Sequence, residues 1–151
     1  MGKHILLVED NPTDEKLTLR AFGKCGVGNE IVVVRDGADA LEYLLCTGRY
    51  RDRDPASGPS VVLLDLNLPR IGGLDVLKAL RAAERTQFLP VVVLTSSREE
   101  EDILKSYAFG ANAYVRKPVE FAEFAEAARA LGMFWLLLNE TVPSRAGSSP
   151  S

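Results

Sequence analysis

Acidic, hydroxyl and lysine side chains follow four of the five short apolar runs in this 151-residue chain. In chain order they are Glu9, Asp10, Asp65, Thr95 and Lys117. Three carboxylates brought close together repel one another unless one of them takes up a proton or a cation lies among them. An open site built from oxygen ligands suits a hard divalent cation, and we interpret the pattern as a Mg²⁺ site.

The same residue types can hold a phosphoryl group. The cation and Lys117 would neutralise the phosphoryl oxygens, Thr95 would donate a hydrogen bond, and a carboxylate could accept the group. We expect Asp65 to be the acceptor because it ends a run predicted to be a central, buried strand. Glu9 and Asp10 are better placed to hold the metal. Each residue alone could be a helix cap or a turn residue, so the hypothesis depends on their joint order.

Five apolar runs separated by amphipathic stretches would position these side chains. The runs are rich in Val, Ile and Leu and mostly do not alternate with polar residues, which is typical of strands covered on both faces. They are Ile5–Val8, Ile31–Val34, Val61–Leu64, Val91–Leu94 and Ala113–Val115. Helical patterns occupy Pro12–Cys25, Ala38–Cys46, Gly73–Ala83, Ser97–Ala108 and Phe121–Leu138. The alternation predicts an α/β doubly wound parallel sheet that binds ligands at the carboxyl ends of its strands.

Composition narrows the class of protein. The chain is 46% hydrophobic and 26% charged with a net charge of −3, which is typical of a globular domain and disfavours binding to nucleic acid. No apolar run approaches the roughly 18 residues of a membrane span, and the N-terminus does not have the pattern of a signal peptide. The two cysteines form no Cys-x-x-Cys pair. We therefore expect a cytoplasmic domain without membrane or nucleic-acid partners.

The motifs around these residues resemble the receiver domain of bacterial response regulators. They are Leu-Val-Glu-Asp-Asn at 7–11, Leu-Leu-Asp-Leu-Asn-Leu-Pro at 63–69, Gly-Gly at 72–73, Val-Leu-Thr-Ser at 93–96, Gly-Ala-Asn-Ala-Tyr at 110–114 and Lys-Pro at 117–118. The resemblance implies a flavodoxin-like sheet of order 2-1-3-4-5 over residues 4–139. We expect residues 140–151 to be a disordered C-terminal tail and no output domain to be present.

The resemblance also implies a role for each residue at the acceptor. A partner histidine kinase would pass its phosphoryl group to Asp65. Asp10, Asp65 and the backbone carbonyl of Asn67 would hold Mg²⁺, with Glu9 assisting. Such a protein is a phosphoacceptor that takes part in its own phosphotransfer and dephosphorylation rather than an enzyme acting on a separate substrate.

A second group of residues would respond to the phosphoryl group. The resemblance implies that Lys117 pairs with the phosphoryl oxygens and that the Lys117–Pro118 peptide bond is cis. Thr95 would move to bind the phosphoryl group, and Tyr114 would turn inward as Thr95 moves. A switch of this kind needs two packings that are close in free energy, and an aromatic residue near the end of an edge strand could also be ordinary packing.

Two further features concern partners. The stretch Met-Phe-Trp-Leu-Leu-Leu at 133–138 is apolar on all sides, so one face of it needs a second partner. We expect a homodimer with Phe134, Trp135 and Leu138 as candidate contacts, the alternative being a final turn that folds over its own core. This ending and the long loop at 47–60 are similar to single-domain regulators that serve bacterial phytochrome kinases.

Three other functions compete with this interpretation. A phosphatase with an aspartate nucleophile needs Asp-x-Asp, but Asn67 stands two residues after Asp65 and cannot transfer the proton. A nucleotide or flavin binder would show a glycine-rich phosphate loop after the first strand, and none is present. A receiver-like scaffold that is never phosphorylated would not need the acceptor, the acid pair, the threonine and the lysine together.

Overall fold

The computed structural model describes residues 4–24, 30–96 and 110–130, and within these ranges five strands form one sheet. The strands are β1 (Ile5–Val8), β2 (Ile31–Val34), β3 (Val61–Asp65), β4 (Val91–Thr95) and β5 (Ala113–Arg116). All adjacent pairs are parallel, and the order is β2-β1-β3-β4-β5. The predicted doubly wound sheet of order 2-1-3-4-5 is confirmed, and β3, β4 and β5 each extend one residue beyond the apolar run.

Helices cover both faces of this sheet. Those in the described ranges are α1 (Pro12–Lys24), α2 (Gly37–Leu45), α3 (Gly73–Ala82) and α4 (Phe121–Ala130). The side chain of Asn11 accepts hydrogen bonds from the backbone N–H groups of Thr13 at 2.8 Å and Asp14 at 3.1 Å, so it caps the start of α1. Asp36 caps α2 in the same way through the N–H of Asp39 at 2.8 Å.

The core consists of two apolar layers, one on each face of the sheet. Leu6 and Val8 of β1 pack with residues of α2 and α3, whereas Ile5 and Leu7 pack with residues of α1 and α4. Successive residues of a strand point to opposite faces, so a strand covered on both sides must be apolar at every position. This requirement explains why β1, β3 and β4 are read in the sequence as uninterrupted apolar runs.

The connection at 47–60 is more regular than the predicted loop. It contains two short 3-10 turns, at Gly48–Tyr50 and Pro55–Ser57. Arg53 joins the connection to α2, because its Nε donates to the carbonyl of Tyr43 at 2.9 Å and its guanidinium lies 4.5 Å from the centre of the Tyr43 ring. The Gly, Pro, Arg and Asp residues of this segment predict a loop, but they do not predict contacts between its side chains and α2.

Some sequence-based expectations lie outside the described residues. They are the helix at 97–108, the end of the last helix beyond Ala130, the tail at 140–151, and the contact candidates Phe134, Trp135 and Leu138. Within the described ranges, no helix has both the length and the apolar character needed to cross a membrane.

Gly73, the first residue of α3, lies against the end of β3. Its N–H donates to the carbonyl of Leu66 at 3.0 Å. A Cβ at this position would lie 2.7 Å from the Cα of Leu66 and closer still to the carbonyl oxygen of Asp65. Because those neighbours are backbone atoms, the absence of a side chain at Gly73 lets α3 approach the segment that carries Asp65.

We therefore expect Gly73→Ala to lower the free energy of unfolding by about 1–3 kcal/mol, as overpacking against backbone does. The matched control is Gly23→Ala in α1, where a Cβ would meet no atom within 4 Å. That change should raise stability by roughly 0.5–1 kcal/mol, since alanine favours a helix over glycine. Urea unfolding followed by circular dichroism measures both, and a Gly73→Ala variant as stable as the wild type would contradict the close approach.

Candidate functional site

The carboxyl ends of β1 and β3 bring three carboxylates together. Glu9 and Asp10 follow β1, Asp65 is the last residue of β3, and these two strands are hydrogen-bonded neighbours. One carboxylate oxygen from each residue lies within 4.8 Å of the other two. Glu9 and Asp65 are buried, while Asp10 is exposed. The convergence predicted from the sequence is thus present in the structure.

Lys117 brings a positive charge to the same cluster from the end of β5. Its backbone N–H donates to the carbonyl of Thr95 at 2.7 Å, which anchors it to the end of β4. Its Nζ lies 3.3 Å from Oδ2 of Asp65 and 3.4 Å from both carboxylate oxygens of Glu9. The Lys117–Pro118 peptide bond is cis, the geometry that the resemblance implies.

Asp14 is a member of the site that the sequence analysis missed. It lies in the first turn of α1, and its Oδ2 accepts a hydrogen bond from Nζ of Lys117 at 2.9 Å. An acidic residue in a first helical turn is ordinarily explained by the helix dipole, so its type and position gave no separate signal. Asp14 contacts Lys117 because of the way α1 is oriented about its own axis, which the sequence of the helix does not specify.

The charges of the cluster shift the pKa values of two residues. Burial, the hydrogen bond with Asp65 and the negative charge of Asp65 raise the pKa of Glu9 to about 8, although Lys117 opposes this. Burial alone would lower the pKa of Lys117, but the hydrogen bond with Asp14 and the charges of Asp65 and Glu9 raise it above its ordinary value. The cluster therefore favours a proton on Glu9 and the charged form of Lys117.

An open cleft of about 490 Å³ gives access to these groups. Its lining residues are Asp10, Asn11, Pro12, Asp14, Asp65, Asn67, Ser96 and Lys117. The backbone N–H of Asn67 donates to Oδ1 of Asp65 at 3.3 Å, whereas Lys117 contacts Oδ2, so both oxygens of this carboxylate have a partner.

The two predicted switch residues lie near the cleft but do not line it. Thr95 is buried at the end of β4, and its neighbour Ser96 lines the cleft instead. Tyr114 of β5 is half-buried and packs against the core layer shared with α2 and α3. The structure therefore puts Thr95 on the strand that pairs with β3, and Tyr114 one strand further from Asp65.

The donor set fits a hard divalent cation. All the clustered ligands are carboxylate oxygens, and exposure of Asp10 leaves room for the waters that Mg²⁺ retains. Among the described residues, four acidic side chains and one ammonium make up the site: Asp10, Asp14 and Asp65 line the cleft with Lys117, and Glu9 lies buried beside them, so the acids outnumber the positive charge. The raised pKa of Glu9 has the same origin, because burial and the negative charge of Asp65 disfavour a further charge on Glu9.

Comparison with known proteins gives consistent matches over most of the chain. The family model for the response regulator receiver domain matches residues 5–129. Response regulator Rcp1 from Synechocystis sp. is 34% identical over 134 residues, which are 89% of each protein. The crystal structure of the Mn(2+)-bound form of Rcp1 matches with a TM-score of 0.69 and 31% identity over 99% of both chains.

Two solved structures of phytochrome response regulators are also similar. The bacteriophytochrome response regulator AtBRR has a TM-score of 0.85 and 54% identity, and the match covers 93% of this chain and 99% of that chain. The phosphorylated cyanobacterial phytochrome response regulator RcpA has a TM-score of 0.71 and 37% identity, covering 90% and 95% of the two chains.

Proposed function

Because the chain belongs to the response regulator receiver domain family, we propose that it accepts a phosphoryl group on Asp65 from a histidine kinase in the cytoplasm. The observation that carries this proposal is the setting of the Asp65 carboxylate. It clusters with Glu9 and Asp10, lies 3.3 Å from Nζ of Lys117, and opens into a cleft. A buried carboxylate beside an ammonium and further acids has the parts needed for phosphoryl transfer.

In the proposed reaction, a carboxylate oxygen of Asp65 attacks the phosphorus atom of the kinase's phosphohistidine. A P–O bond forms as the P–N bond breaks, and the electron pair of that bond returns to the imidazole ring. The N–H of Asn67 and the ammonium of Lys117 contact the two carboxylate oxygens, which supports an acceptor that is oriented before it reacts. Lys117 would then neutralise the phosphoryl oxygens.

Asp10, Asp65 and the backbone carbonyl of Asn67 are the proposed ligands of Mg²⁺, with Glu9 assisting. When bound, Mg²⁺ would supply positive charge to the transferring phosphoryl group. The cluster of carboxylate oxygens supports this assignment, and so does the similarity to Rcp1, which has been crystallised with Mn²⁺. Because the pKa of Glu9 is raised and metal ligands bind in their deprotonated form, we expect metal binding to release a proton.

The proposed response to phosphorylation involves Thr95 and Tyr114. Thr95 ends β4, the strand paired with β3, so a small movement of its hydroxyl would bring it toward a group on Asp65. Tyr114 is half-buried, which leaves it both an inward and an outward position. Phosphorylation would bias the two positions by adding charge that Thr95 can hydrogen-bond.

The proposed kinase is a bacterial phytochrome. The similarity to AtBRR and RcpA supports this partner, since both are phytochrome response regulators and both match nine-tenths or more of this chain. The proposed assembly is a homodimer through Phe134, Trp135 and Leu138. Its support is the sequence at 133–138, which is apolar on all sides of a helical pattern, so a helix there would have one face that needs a second partner.

Incubation with acetyl phosphate and Mg²⁺ tests the acceptor directly. We expect the wild type to gain the mass of one phosphoryl group, as an adduct that survives acid and is lost in base. Asp65→Asn should gain none, and a chelator should prevent the reaction. The matched control is Asp75→Asn, which removes an exposed aspartate of α3 and should react like the wild type.

Intact-mass spectrometry reads the result of that incubation. An unmodified wild type that is folded would count against the proposed function, as would full modification of Asp65→Asn. Continuous turnover of phosphate esters without an adduct would favour the aspartate phosphatase instead.

Phosphotransfer profiling tests the kinase. A phosphorylated bacteriophytochrome kinase should transfer its phosphoryl group at least about tenfold faster than an unrelated histidine kinase, a preference of about 1.4 kcal/mol. Asp65→Asn should accept from neither kinase. Equal rates from the two kinases would remove the phytochrome assignment while leaving Asp65 as the acceptor.

Light scattering coupled to size-exclusion chromatography tests the dimer. We expect the wild type to elute with twice the monomer mass, and a variant with Phe134, Trp135 and Leu138 all replaced by Ser to elute as a monomer, because the change removes the apolar contact surface. A wild type that is monomeric at high concentration would refute the proposed assembly.

A further inference from the structure

The contacts of Lys117 are unequal in length and in exposure. Nζ lies 2.9 Å from Asp14 but 3.3 Å from Asp65 and 3.4 Å from Glu9. Charge-assisted N–H···O bonds are strongest near 2.7–2.9 Å, so Asp14 forms the best of the three bonds. The Asp14 side chain is also 26% exposed, whereas that of Glu9 is fully buried.

Of the three acidic partners of Lys117, Asp14 is the one whose contact a phosphoryl group could most readily replace. An ammonium group has three N–H donors, and the oxygens of three acidic side chains already face them. A phosphoryl group on Asp65 would present further oxygens to the same ammonium, so it would compete with the contacts that Lys117 already makes. Asp14 can turn toward water when it loses its bond, whereas Glu9 has no route to solvent.

We propose that Asp14 is a positioning residue that competes with the phosphoryl group for Lys117 and thereby limits how tightly that group is held. The inference rests on the proposed acceptor role of Asp65. It predicts that removal of the Asp14 carboxylate frees Lys117 and strengthens the binding of any tetrahedral anion attached to Asp65.

Beryllofluoride is the probe, because it bonds to a carboxylate oxygen and has the shape and charge of a phosphoryl group. Its affinity is measured by fluorine NMR at saturating Mg²⁺. Asp14→Asn should bind beryllofluoride more tightly than the wild type by roughly 5-fold, the ratio expected for one partly exposed ion pair. Asp14→Glu restores a carboxylate and should return the affinity toward that of the wild type.

Glu15→Gln is the matched control for the loss of one negative charge. Glu15 is the next residue of α1, and its carboxylate pairs with Arg35 at 2.9 Å rather than with Lys117. The affinity of Glu15→Gln for beryllofluoride should stay within about twofold of the wild type, since the ion pair of Glu15 with Arg35 does not involve Lys117. The same tightening in Glu15→Gln as in Asp14→Asn would overturn the inference, because general charge would then explain both.

The remaining outcomes separate the two proposals. Equal or weaker binding by folded Asp14→Asn would overturn the competition while leaving Asp65 as the acceptor. Absence of binding to the folded wild type would overturn the acceptor role itself. The Asp14 side chain is not the cap of α1, which is formed by Asn11, so Asp14→Asn should keep the circular dichroism spectrum of the wild type.

Discussion

The ammonium of Lys117 lies among the carboxylates of Glu9, Asp14 and Asp65, and the rest of the site depends on this concentration of charge. Buried charges are costly unless they are paired, and closely spaced like charges oppose folding. A flexible chain would move such groups apart. The site can exist only where a rigid framework holds the carboxylates together, and the parallel sheet is that framework because its strands all end at one edge.

Backbone contacts hold this edge in place. The carbonyl of Thr95 binds the N–H of Lys117, which joins the ends of β4 and β5 directly beneath the charged side chain. On the other side, Gly73 lets α3 lie against the backbone of Asp65. The apolar layers above and below β1 and β3 provide the stability that the charged edge lacks. The strands thus form the apolar core, and the residues at their carboxyl ends form the charged site.

This division explains what the sequence could and could not reveal. Strands buried on both faces produce apolar runs in the sequence. The first one or two residues after a run lie at the binding edge, so the positions of Asp65 and Lys117 could be predicted. The contribution of Asp14 could not, because it depends on how α1 is rotated and a first-turn acid is common in any helix. The 3-10 turns at 47–60 depend on the contact between Arg53 and Tyr43, which are ten residues apart and follow no local pattern.

The excess of negative charge also links the proposed metal to the proposed chemistry. Without a metal, the cluster relieves its repulsion through a proton on Glu9, whose pKa is about 8. A phosphoryl group on Asp65 would add negative charge at the same point, and the proton neutralises only the carboxyl that carries it. Lys117 already pairs with the carboxylates of Asp14 and Asp65 and would not offset that charge alone. In the proposed function, the same acids that make the metal-free site unfavourable would make phosphoryl acceptance depend on a divalent cation.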